Sequence, residues 1–126
     1  MRSKIMRLLA IDTSTDYLSL AVMDGDKAIS RMHKKAPRSH SSLLMPMIDR
    51  ILKKSGVRLK SLGGFCVSIG PGSFTGLRIG VATIKGLALV TGKPVVAVPT
   101  LDAIARNGKK FKGILCTVLD ARKNKV

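Results

Sequence analysis

A chain of 126 residues is sized for one domain with its own core. Its 45% hydrophobic content excludes a disordered segment, and no apolar run approaches the roughly 20 residues that span a bilayer. The charge is lopsided, with 23 Lys and Arg against 7 Asp, no Glu and no Gln, for a formal +16.

The start, Met1 to Arg7, is basic, and the apolar stretch after it ends at Asp12 without a small-residue cleavage site, unlike a signal peptide. Residues 7–12 read as a buried strand ending in an acid, and 13–16 as a turn. Residues 17–23 partly alternate and give a second strand. Asp24-Gly25 is a hairpin signal, leading into a third strand over 27–33 and a basic loop over 34–39. Leu43, Leu44, Met47, Ile48, Ile51 and Leu52 recur at helical spacing, predicting a helix over 42–55 that Gly56 stops. Pro46 is then expected in its first turn. A fourth strand covers 64–69, an apolar helix 75–90, and a short strand 95–98. Thr100 is expected to cap a third helix over 101–107, and residues 113–120 read as a last strand. The order βββαβαβαβ predicts an α/β fold, a mixed sheet with helices on both faces.

Residues 70–80, Gly-Pro-Gly-Ser-Phe-Thr-Gly-Leu-Arg-Ile-Gly, carry the most information. Gly70 and Gly72 flank Pro71 in a tight turn, with Thr75 or Ser73 to cap the helix. The run is neither a P-loop, since Leu77 stands where a Lys is needed, nor a dinucleotide fingerprint, since no acid occurs between Asp49 and Asp102. Gly76 and Gly80 share one helix face and let another backbone come close. Leu77, Val81, Ile84 and Leu87 make an apolar stripe, and further apolar residues lie on other faces. Such a helix is either central to the core or meets a partner, and the pattern leaves both open.

Two cysteines, Cys66 and Cys116, sit in apolar strand-like runs and read as reduced core residues of a cytoplasmic protein. His33 and His40 do not have a metal-ligand spacing. The bases gather at Lys34-Lys35-Arg38, Lys53-Lys54 and Arg58-Lys60. They fit a phosphate-attracting surface or a solvated face matched to an acidic partner, with Tyr17 and Phe74 among the few aromatics for stacking.

The opening Ile11-Asp12-Thr13-Ser14, the glycine-rich run, His40-Ser41-Ser42-Leu43-Leu44-Met45-Pro46, Lys93-Pro94-Val95 and Leu119-Asp120-Ala121-Arg122 together resemble the TsaB (YeaZ) family of tRNA threonylcarbamoyladenosine biosynthesis. The resemblance implies a ribonuclease-H-like lobe of the actin/Hsp70/sugar-kinase kind, with a five- to six-stranded sheet. Residues 1–120 would be the N-terminal lobe and 121–126 the start of a second lobe absent from this chain. It implies a noncatalytic scaffold, without cofactor or metal, that pairs with TsaD for threonylcarbamoyl transfer to adenosine 37 of tRNA. TsaE would join the pair, a homodimer would form when TsaD is absent, and tRNA would meet the basic surface. TsaD carries a His-x3-His metal pair where Thr100 and Ile104 stand here.

The partner-binding residues implied are Leu44, Met47, Ile48, Ile51, Gly76, Arg78, Gly80, Thr83 and Leu87, so Gly80→Leu is expected to block pairing with little loss of fold. In nucleotide-binding members of the fold, Asp12, Thr13 and Ser14 would face a phosphate. The alternatives are the ATP-binding lobe of a small-molecule kinase or ATPase built around Asp12, and a basic nucleic-acid-binding domain.

Overall fold

The structure, a computed structural model, describes residues 6–108, 110 and 112–119. Five strands form one mixed sheet in the order β3-β2-β1-β4-β5. β1 (Arg7–Asp12), β2 (Tyr17–Asp24) and β3 (Lys27–Lys35) form an antiparallel meander. β4 (Gly64–Ser68) and β5 (Val95–Val98) add in parallel on the other side of β1. The crossovers are α1 (His40–Ser55) between β3 and β4 and α2 (Phe74–Thr91) between β4 and β5. α3 (Thr100–Ala105) follows β5. The outermost strand β3 carries Arg31, Lys34 and Lys35 exposed, a charge pattern that discourages edge-to-edge pairing.

The pleat divides each strand between two faces. Leu9 and Ile11, Leu18, Leu20 and Val22, and Phe65 and Val67 point to one face, all 3% exposed or less. α1 and α2 cover that face, α1 over β2 and β3 and α2 over β4. α1 brings Leu44, Met47, Ile48 and Ile51 into this core, and α2 brings Ile84. Each such side chain contributes about 1.5–3 kcal/mol of burial. The opposite face carries Ala10, Asp12, Ser19, Ala21, Cys66 and Ser68, and these line an open groove of about 400 Å³ whose rim includes Ala103 of α3. Helices thus meet both faces, but unequally.

Several expectations are corrected. α1 begins at His40, before the expected start at 42, so Pro46 lies in its second turn. The early start follows from His40, whose Nε2 is 2.7 Å from the carbonyl oxygen of Thr15 and whose Nδ1 is 3.1 Å from that of Ala36. The cap of α2 is Ser73, which accepts from the N–H of Gly76 at 3.3 Å, and Thr75 takes no part. Thr100 is the first residue of α3 and gives no cap; its hydroxyl instead accepts from the N–H of Gly70 at 3.1 Å. Residues 113–119 form no strand, with Ile114 95% exposed, because a strand needs a ladder partner and none of the described residues pairs with them. Asp120 and the expected second-lobe start at 121–126 lie outside the described residues. α2 is, by length and composition, apolar enough to cross a membrane, contrary to the expectation that no run approaches that length. Its Gly76, Gly80 and Ile84 face is nevertheless seated on the sheet.

Candidate functional site

The glycine-rich run is a three-way junction. Gly70 has φ 118, a backbone region that suits glycine, and its carbonyl accepts from the N–H of Thr100 at 2.8 Å. The N–H of Ser73 donates to the carbonyl of Ser14 at 2.6 Å. One turn on, a Cβ at Gly76 would strike the carbonyl of Thr13, and one at Gly80 would strike the Thr13 side chain. The two glycines therefore let α2 lie on the β1–β2 turn of its own lobe. They are buried and do not face a partner, which corrects the expectation for Gly76 and Gly80.

The same correction applies to Leu44, Met47, Ile48 and Ile51, whose side chains are 4% exposed or less and fill the core under α1. Thr83 and Leu87 are half-buried, and Leu87 packs against that core. Of the nine expected partner residues only Arg78 is fully on the outside. The outward arc of α2 is made of other residues. Phe74, Leu89 and Val90 are 74%, 85% and 82% exposed, with Ala82, Lys85 and Gly86 between them. Arg78 lies over the Phe74 ring at 5.2 Å, a cation–π pair at one end of the arc. At helical spacing Phe74, Arg78, Ala82, Lys85 and Leu89 form one stripe. Arg78 and Lys85 were the sequence signal that this stripe faces outward.

The Asp12-Thr13-Ser14 turn does not fit a phosphate. The Asp12 carboxylate accepts from the Ser14 N–H at 2.8 Å and from its hydroxyl at 2.5 Å, closing the turn on itself. Thr13 and Ser14 are 0% and 2% exposed beneath the start of α2. Asp12 alone reaches the groove, where its own negative charge repels a phosphate. The groove floor holds Cys66, whose thiol burial pushes up from its ordinary pKa. His33 stands on the open sheet face and His40 is buried at the start of α1. Among the described residues no three His, Cys, Asp or Glu come together as a metal site.

A family model described as TsaD, tRNA N6-adenosine threonylcarbamoyltransferase, matches residues 31–126. The tRNA threonylcarbamoyladenosine biosynthesis protein TsaB of Bacillus subtilis is 36% identical over 96% of the chain.

The chain belongs to the TsaB (YeaZ) family.

Among solved structures, YeaZ from Pseudomonas aeruginosa superposes with a TM-score of 0.79 at 35% identity, covering 84% of this chain and 49% of that one. The chain covers 53% of Bacillus subtilis TsaB, so it spans about half the length of the curated TsaB relatives it matches. Some relatives are transferases: the tRNA N6-adenosine threonylcarbamoyltransferase of Persephonella marina is 29% identical over 78% of the chain and 33% of that protein. ROK hexokinase from Thermus thermophilus, at 20% identity and a TM-score of 0.54 over 82% of the chain and 38% of its own, shares the fold alone. The lobe is thus the ribonuclease-H-like, actin and sugar-kinase type that the TsaB resemblance implied.

Proposed function

We propose that this lobe is the pairing half of a TsaB scaffold, which associates with TsaD and supports threonylcarbamoyl transfer to adenosine 37 of tRNA. The observation that carries the reading is the outward arc of α2. Exposed Phe74, Leu89 and Val90 beside Arg78 put an aromatic, aliphatics and an arginine together on the surface, the residue types of interface hot spots, with Lys85 among them as a charged contact. A helix that leaves Phe74, Leu89 and Val90 exposed on its outer face gains by burying them against another helix. The partner is the corresponding lobe of TsaD, and a second copy of the chain takes its place when TsaD is absent. TsaE joins the pair, and the complex works in the cytoplasm.

A noncatalytic role is supported by the residues standing where the resemblance places the TsaD metal ligands. Thr100 spends its hydroxyl on Gly70, and Ile104 offers no ligand atom. The metal and the transfer chemistry then belong to TsaD. A reconstituted transfer assay tests this. TsaD turnover on tRNA should rise with added chain until the two are equimolar, while the chain alone leaves tRNA unmodified. Modification by the chain alone, or TsaD turnover indifferent to it, would overturn the proposal.

A further inference from the structure

The open sheet face carries a prebuilt aromatic pair that pairing with TsaD does not use. Tyr17 on β2 and His33 on β3 stack with ring centroids 4.4 Å apart and an interplanar angle of 8°. Tyr17 remains 38% exposed. The imidazole is held by a 2.6 Å hydrogen bond between His33 Nδ1 and Ser19 Oγ. The antiparallel register explains the arrangement. Tyr17 lies opposite Lys35, Ser19 opposite His33, and Ala21 opposite Arg31. Residues opposite one another in an antiparallel pair share a face, so the rings stand in one row between two cations. His33 and Arg31 also line the groove of about 400 Å³.

We propose that this row is a contact surface for single-stranded RNA. Stacked rings on an open sheet face offer a base a flat surface without reading its sequence, and flanking cations hold the backbone phosphates. Both elements are present: Tyr17 and His33 supply the stacking face, and Arg31 and Lys35 are both exposed beside it. The ion pairs of Arg7 with Asp24 and of Lys53 with Asp49 lie elsewhere, so they do not draw on Arg31 or Lys35. A base, not a phosphate, would enter the groove over Ala10, Ala21 and Cys66, since Asp12 also lines it and keeps the backbone on the Arg31 and Lys35 side. The choice of RNA over another polyanion rests on the tRNA-pathway reading above. The surface itself does not, because it lies on the sheet face opposite α1 and α2.

The chain offers its own reporter, since Tyr17 is the single tyrosine and there is no tryptophan. Titration of the protein with a labelled single-stranded RNA of about a dozen nucleotides should raise the anisotropy of the label and quench Tyr17 emission together. Tyr17→Leu should weaken binding about tenfold, with Tyr17→Phe close to the native protein. Lys54→Ala, on the helix side, serves as the charge control. Anisotropy change without Tyr17 quenching overturns the proposal, as does a Tyr17→Leu effect no larger than that of Lys54→Ala. Absence of binding overturns it too. Competition by polyglutamate with the same dependence on Tyr17 would assign the surface to an acidic protein instead. TsaD pairing, measured separately through α2, is unaffected by any of these outcomes.

Discussion

Gly80 of α2 lies directly against the side chain of Thr13, the first residue after β1. The contact couples the start of the long helix to the turn that follows the first strand. Thr13 Oγ1 is buried there with no hydrogen-bond partner among the described residues, and a methyl group at position 80 would strike the Thr13 side chain. Overpacking of this kind costs about 1–3 kcal/mol for small additions. Gly80→Ala is therefore expected to lower the unfolding free energy by that amount, read as a lower urea midpoint at unchanged m-value, and Gly80→Leu to disrupt the fold. A Gly80→Leu protein of native stability would show that α2 does not sit on this turn.

Gly86 is the opposite case. A Cβ there meets nothing within 4 Å, and the residue lies in the interior of α2. Gly86→Ala should stabilise the lobe by about 0.5–1 kcal/mol through helix propensity alone. Thermal melting of the two proteins checks the sign, and a loss would mean that this side of α2 is covered.

His40 ties three segments together, with ring nitrogens facing the Thr15 and Ala36 carbonyls from the first turn of α1. Its truncation leaves the Thr15 carbonyl short of a partner where the residue itself is 7% exposed, while the Ala36 carbonyl keeps the Ser39 N–H. His40→Ala should cost about 1–3 kcal/mol and loosen the β1–β2 turn. Hydrogen exchange across residues 13–16 and 36–40 would register that loosening, and unchanged protection would rule out the tie.

Cys66 and Cys116 should separate by reactivity. Burial raises the Cys66 thiol above its ordinary pKa, while Cys116 is exposed. The thiolate is the reactive form, so at a given pH Cys66 carries less of it. Alkylation followed by mass spectrometry should find Cys116 modified first and Cys66 only as pH rises. By linkage, the contribution of the neutral Cys66 thiol is full below the unfolded pKa and lost as pH climbs through the folded one. Equal rates at both sites would contradict the burial.

Much of this was legible in the sequence. The Asp-Gly turn at 24–25, the Gly56 stop and the apolar spacing from Leu44 to Ile51 all carried local chemistry that fixes an element and its limits. What sequence spacing did not carry was the direction each helix faces. Gly76 and Gly80 fit close approach to any backbone, and only the position of Thr13 shows that the backbone belongs to the same lobe. The resemblance alone implies a partner at Leu44, Met47, Ile48 and Ile51, and local pattern does not decide against it, because a face rich in apolar residues reads alike whether it meets a sheet or a partner. Residues 113–119 look like a strand by composition, yet strand formation depends on a neighbour that local pattern does not encode. The Tyr17–His33 stack was missed because it needs the β2–β3 register, which brings together residues 16 apart in sequence.

The proposed pairing of this lobe with TsaD runs through the outward arc of α2. Size-exclusion chromatography with light scattering, on the chain mixed with TsaD of the same organism, tests it most directly. The native chain should elute as a one-to-one complex, and Leu89→Glu, at a position 85% exposed, should leave two separate species while keeping its native melting temperature. A Leu89→Glu chain that still forms the complex as the native one does would contradict the claim.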